Sequence, residues 1–321
     1  MKVKKINLKL LFNLLLFPSV LYFGISYALN GNDIYIYGQI DNDLFISSFK
    51  TMTSPLFNIY RIFLLKINLG QNHIAYLITG IISSFLSYFF LLIKYKKHAL
   101  ISWLLFLITI QGFNTSFNLI RTSFSLLIIT FVYWILQDKK SQKLRMNISL
   151  FFGVFAHIQT ILVLIIFNLK NIFRRIVNFN FRQKIKKNIL ILIILLFIIF
   201  LFTVFFYNEK IYSYIERAIN RLLQEYKVAF FYPIQLLLFT YVIKRVNKSK
   251  FENEVFDKNF TDQWLLIGWI AWFISIMGLP LVFERISILA IFFIIPKFVI
   301  QSSVVEYIFI TSLFFLRLIF I

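Results

Sequence analysis

Long apolar runs separated by clusters of lysine and arginine fill this 321-residue chain, and no other feature restricts its fold as much. The runs fall at 8–29, 73–93, 99–113, 117–136, 146–169, 188–207, 228–243, 261–281, 286–301 and 303–321. About 20 apolar residues of helix cross a hydrocarbon layer, inside which every backbone N–H and C=O must be satisfied by the chain itself. Hydrophobic residues make up 60% of the chain and charged ones only 15%, so an ordinary soluble protein is excluded. The expected fold is an all-α polytopic integral membrane protein, one domain over 1–321, with ~10–12 transmembrane or half-spanning helices.

Lysine and arginine outnumber aspartate and glutamate by 34 to 13, a net charge of +21. Because the basic residues sit between apolar runs, that charge reads as the loop asymmetry of a membrane protein, and no nucleic-acid partner is expected. With no cysteine, disulfides, thiolate metal sites and cysteine nucleophiles are excluded, and three histidines leave little for a multi-histidine metal site. The opening MKVKK and the run behind it resemble a signal peptide's head. The run is long enough to span, lacks a small-x-small cleavage site and precedes many more spans, so it reads as a first membrane helix held inside by Lys2, Lys4 and Lys5.

Sidedness follows from the positive-inside rule. With the N-terminus in the cytoplasm, Lys94, Lys96 and Lys97 return inside, as do Lys139, Lys140, Lys143 and Arg145, with an outer turn at Asn114, Thr115 and Ser116 between them. A single span over 146–169 would then place seven cations, Lys170 to Lys187, outside. Two half-spans turning near Ala156 to Gln159 return them to the cytoplasm, leaving 23 of the 34 basic residues inside and nine outside. The spacing therefore predicts a hairpin with His157 at its apex, and backbone at such depth must be buried in protein or line a wet cavity.

Three residues interrupt apolar runs on the outer side. Arg121, in NTSFNLIRTSF, follows Asn114 and Asn118 near a helix start. It is either a snorkelling arginine or, with the N–H groups of that helix start, part of a phosphate site. Arg285, beside Glu284 in GLPLVFERISIL, is expected at the outer start of a late helix, with Pro280 ending the helix before it. It either contacts Glu284 locally or supplies a second guanidinium to the same anion, since two arginines hold a diphosphate in a fixed fork where lysines act as point charges. His157 is either a buried neutral imidazole satisfied by a carbonyl or a group that orients or deprotonates an acceptor hydroxyl.

The first outer loop, 30–72, holds Asp33, Tyr37, Asp41 and Asp43. Asp-x-Asp can bind a divalent cation and aromatics suit sugar faces, although a solvated acidic loop is the commoner meaning of such a stretch. Within the loop SPLFNIYRIFLLKINL reads as an interfacial amphipathic helix opened by Pro55, and 208–227 as a second outer surface helix. No phosphate-binding glycine loop, dinucleotide fingerprint or repeat is present, so no cofactor is expected.

Four of these pieces resemble motifs of the EpsG-like, Wzy-type polysaccharide polymerases. FNLIRTSFSLLIITFVYWILQDKK resembles the family's Asn-x-x-Arg helix, GVFAHIQT its histidine apex, FERISILAIFFIIP its late Arg-x-Ser helix, and DIYIYGQI followed by SPLFNIY its first outer loop. Thr122 stands where glutamine commonly follows the arginine, and Ala156 where phenylalanine commonly precedes the histidine. The resemblance covers 20–300 in order and spacing. It implies a fold like the GT-C membrane transferases with an outward-facing cavity. It also implies a metal-independent glycosyltransferase of the bacterial inner membrane, joining undecaprenyl diphosphate-linked oligosaccharide repeats into capsule, O-antigen or exopolysaccharide on the outer face. Arg121, Arg285, His157 and Asp33 would be catalytic, with His157 or Asp33 as the base, and Asn114, Asn118, Tyr37 and Glu284 would bind substrate. Partners would be the lipid-linked substrate, the bilayer, a flippase and a chain-length regulator. Two alternatives stand beside this reading: a flippase for the same lipid, and a transferase using a lipid-phosphate sugar with a metal at Asp41 and Asp43.

Overall fold

The computed structural model describes residues 7–29, 54–70, 72–137, 141–157, 159–177, 231–245, 258–276 and 280–319. Within them every regular element is helical. The helices are α1 (Leu8–Leu29), α2 (Pro55–Lys66), α3 (His73–Leu91), α4 (Lys96–Ile108), α5 (Ile110–Phe117), α6 (Ile120–Ile135), α7 (Gln142–Ala156) and α8 (Thr160–Val177). They are followed by α9 (231–245), α10 (Lys258–Ile276), α11 (Pro280–Gln301) and α12 (Val304–Ile319). A short 3-10 turn, Ile93–Tyr95, joins α3 to α4. Among the described residues two helices, α1 and α3, are long and apolar enough to cross a membrane, and a third span results if the Ile93–Ile108 segment and α5 are counted together. Asp33, Tyr37, Asp41, Asp43 and the expected surface helix at 208–227 lie outside the described residues, as does the run at 188–207.

Helix α11 is the axis of the bundle. It is apolar on all sides, and its residues from Ile286 to Val299 are buried throughout, as expected of a helix surrounded by others. Trp264 of α10 stacks on Phe293 at 4.4 Å, and Phe298 packs against Phe239 of α9. Pro296 cannot donate to the carbonyl of Phe292, and the buried Tyr88 hydroxyl of α3 donates to that oxygen instead at 3.0 Å. Small residues set the other close contacts. A Cβ on Gly80 of α3 would lie 2.3 Å from the Ser116 carbonyl oxygen, and Ser123 of α6 donates to the Gly80 carbonyl at 2.8 Å.

The hairpin predicted within 146–169 is present. Helix α7 ends at Ala156, His157 leaves the helical conformation, and α8 starts at Thr160. The amides of Asn147 and Asn168 exchange hydrogen bonds of 3.2 and 2.8 Å. Those residues stand ten positions before His157 and eleven after it, so the two arms run back along one another.

Three expectations need correction. The outer turn placed at Asn114, Thr115 and Ser116 is not a turn, because all three lie inside the short helix α5. The chain breaks on either side of it instead. At Thr109 the direction changes by 92° between the flanking helices. The Thr109 hydroxyl accepts from the Gly112 N–H and opens the new helix, and a Cβ at Gly112 would meet the Phe106 carbonyl oxygen at 1.8 Å, so only glycine closes this corner. The second break follows at Asn118 and Leu119. Pro280, expected to end a helix, begins α11 instead, where its missing N–H costs nothing.

Helix α2 forms where predicted, with Pro55 in its first turn, but its two cations part: Lys66 is exposed and Arg61 is buried. Ile59 and Phe63 point outward, 59% and 57% exposed, while Arg61 is buried beside Phe57 and Leu64 and its Nε donates to the Tyr76 hydroxyl at 3.3 Å. Tyr76 in turn donates to the Gly70 carbonyl. A helix in water would turn the other way; apolar residues face outward and the arginine inward when the surroundings are less polar than the bundle interior.

Candidate functional site

Helices α3 and α6 lie side by side and run the same way, since Gly80 meets Ser123 near their starts and Phe90 meets Phe131 and Trp134 near their ends. The α7–α8 apex joins the starting end, where Ser125 donates to the Gly153 carbonyl and shares a hydrogen bond with Thr160, both at 3.1 Å. Gly153 permits that approach, because a Cβ there would press within 2.5 Å of Ile129. Helix α11 begins at the same end. Its Arg285 donates from Nε to the Gln159 side-chain oxygen and from Nη1 to the Thr122 hydroxyl, each at 2.9 Å.

One guanidinium thereby ties three separate pieces of chain together: the start of α11, the first turn of α6 and the hairpin apex. Arg121 sits beside Thr122 as the second residue of α6, where the N–H groups of Ile120, Thr122 and Ser123 donate to the carbonyls of Asn118 and Leu119. His157 is 6% exposed, and both guanidinium groups, Arg285 more strongly than Arg121, act electrostatically on its ring. Among the described residues neither ring nitrogen of His157 makes a hydrogen bond of normal geometry. The Gln159 side chain, which accepts from Arg285, also acts on the ring as its hydrogen-bonding neighbour.

Arg121, Arg285 and His157, chosen from the sequence for separate reasons, thus stand together at one end of the bundle. Glu284 also lies there, 4.0 Å from the Arg285 guanidinium, a loose ion pair that leaves the arginine's short hydrogen bonds to neutral groups. Asn114 lies in α5, its carbonyl accepting from the N–H groups of Asn118 and Leu119 at 3.0 and 2.7 Å, so the two candidate asparagines shape the break before Arg121. Asp33 and Tyr37 lie outside the described residues. Among the described residues no group of three or more histidine, aspartate or glutamate side chains is placed to hold a metal ion.

Gln159 and Thr122 were not among the site residues expected from sequence, although both neighbour one that was. Their link to Arg285 spans 126 and 163 residues, a separation that no periodicity encodes.

No family model, no curated protein and no solved structure matches the chain.

Proposed function

We propose that this chain is a multi-pass glycosyltransferase of the bacterial inner membrane, its N-terminus cytoplasmic. In this reading it joins oligosaccharide repeats carried on undecaprenyl diphosphate into a surface polysaccharide on the outer face. The observation that carries the reading is the convergence of Arg121, Arg285 and the buried His157 ring near the starts of two helices. The resemblance of the four sequence motifs to the Wzy-type polymerases supplies the reaction class. The apolar exterior of α1, α3 and α2 supports placement in a bilayer.

In the reaction the bond between the anomeric carbon and the carrier diphosphate breaks, and its electron pair leaves with the diphosphate oxygen. The acceptor sugar's hydroxyl oxygen forms the new bond to that carbon and loses its proton. Charge thus builds on the leaving diphosphate, where two guanidinium groups stabilise it without reorganising. His157 takes the acceptor proton; Asp33 is the other candidate for that role. Gln159 and Thr122 hold Arg285 in place.

The test is the glycan length distribution in a deletion strain complemented with wild type, Arg121→Ala, Arg285→Ala or His157→Ala at matched membrane levels. Long chains collapsing to single exported repeats is the expected result. Unchanged chain length in both arginine variants sinks the proposal, and repeats trapped in the inner leaflet would identify a flippase.

A further inference from the structure

A cavity of about 230 Å³ opens at the opposite end of α3 and α6, far from Arg121 and His157. Its walls are Phe90, Tyr95, Tyr133 and Trp134, and Lys94 and Arg145 stand at its rim. Arg145 is held by two contacts. Its guanidinium lies over the Tyr133 ring at 4.8 Å from the centroid, and Nη1 donates to the Gln137 carbonyl at 3.1 Å. Its Nε is out of solvent and, among the described residues, has no hydrogen-bond partner. An arginine fixed against an aromatic face with one buried donor left over is set to receive an acceptor from outside the chain.

Among the described residues no aspartate or glutamate lines the cavity. Beside it the surface turns apolar: Phe131, which packs on both Phe90 and Trp134, is 38% exposed, and Ile135, next to Trp134, is 55% exposed. Two cations, an aromatic wall and a neighbouring exposed apolar patch match the chemistry of a phosphodiester headgroup, a glycerol backbone and an acyl chain.

We propose that this cavity binds the headgroup of an anionic glycerophospholipid from the leaflet on that side. Lys94 and the Arg145 Nε would bind its phosphate, with an acyl chain lying along Phe131 and Ile135. The site shares no residue with the candidate transferase centre. It requires only that the bundle sit in a bilayer, so it stands or falls separately from the polymerase reading.

Thermal unfolding of the full chain in detergent, titrated with dioctanoyl phosphatidylglycerol or dioctanoyl phosphatidylcholine, tests it. The expected result is saturable stabilisation by phosphatidylglycerol at about tenfold lower concentration than by phosphatidylcholine, and loss of that preference in Lys94→Gln/Arg145→Gln. Equal effects of the two lipids, or a preference that survives the double substitution, overturns the proposal. A third arm uses sn-glycerol 3-phosphate. If it stabilises as strongly as phosphatidylglycerol, the ligand is a free phosphate compound and the lipid assignment is wrong. Should the double variant fail to fold, phosphatidylglycerol with brominated acyl chains is added to wild type and to Trp134→Phe. Quenching larger in wild type, with a midpoint about tenfold below that for brominated phosphatidylcholine, supports the site, and identical quenching in the two proteins refutes it.

Discussion

Helices α6 and α11 each carry a cation at both ends, and the two ends treat it differently. At their C-terminal ends cations from other helices meet carbonyls: Lys9 of α1 donates to the carbonyls of Val299, in the last turn of α11, and Ser302 just past it, and Arg145 of α7 donates to the Gln137 carbonyl past α6. A positive charge there is favoured by the helix dipole. At the N-terminal ends stand Arg121 and Arg285, where the dipole opposes a cation and the nearest hydrogen-bond partners are the neutral Thr122 and Gln159. The C-terminal cations rest on carbonyls, whereas Arg285 rests on neutral side chains, with the Glu284 carboxylate at 4.0 Å. Under the proposed function, structure and substrate affinity would divide between the two ends of the same helices.

The largest expected effect tests that division directly. Arg285→Ala or Arg121→Ala should lower the rate of repeat joining by about 10²–10³-fold while leaving thermal unfolding in micelles within about 1 kcal/mol of wild type. A loss of fold of the same size as the loss of rate would show that the N-terminal arginines are structural after all. Gln159→Leu should cost less, about tenfold in rate, because Arg285 keeps its charge and its Thr122 bond but loses its aim; rescue by Gln159→Glu, which still accepts from Nε, distinguishes aim from packing. Lys9→Met reverses the pattern. It should lower stability by about 1 kcal/mol in a denaturant titration and leave the rate unchanged. Asn147→Leu removes one amide of the hairpin pair and should cost about 0.6–1.7 kcal/mol in the same titration. Smallest of all, Glu306→Gln should leave the titration unaltered, because its partner Arg245 at 2.8 Å is half exposed and water competes for the pair.

Much of this arrangement was readable beforehand, and for identifiable reasons. The hairpin at His157 was legible because seven clustered cations past 169 make a straight span implausible, and α2 because proline opens it. Arg121, Arg285 and His157 stood out because a charge or an imidazole in an apolar run demands a partner. The corner at Thr109 was missed because it depends on Gly112 meeting the Phe106 carbonyl, a contact of backbone with backbone that leaves no polar signature, while the visible polar cluster at Asn114 to Ser116 drew attention eight residues too narrowly. The inward turn of Arg61 was missed for another reason. Helical spacing identifies two faces but does not say which one meets the bundle, and here the Tyr76 hydroxyl decides it.

The paired amides of Asn147 and Asn168 also set an order of events during synthesis. Twenty-one residues separate them, so at about 5–20 residues per second the first amide exists for roughly 1–4 s before its partner is made. During that interval α7 cannot settle alone in lipid with its amide satisfied by α8. If the bundle sits in a bilayer as proposed, the first arm would wait for the second and the two would enter as one unit, bringing His157 to its place only when both are complete.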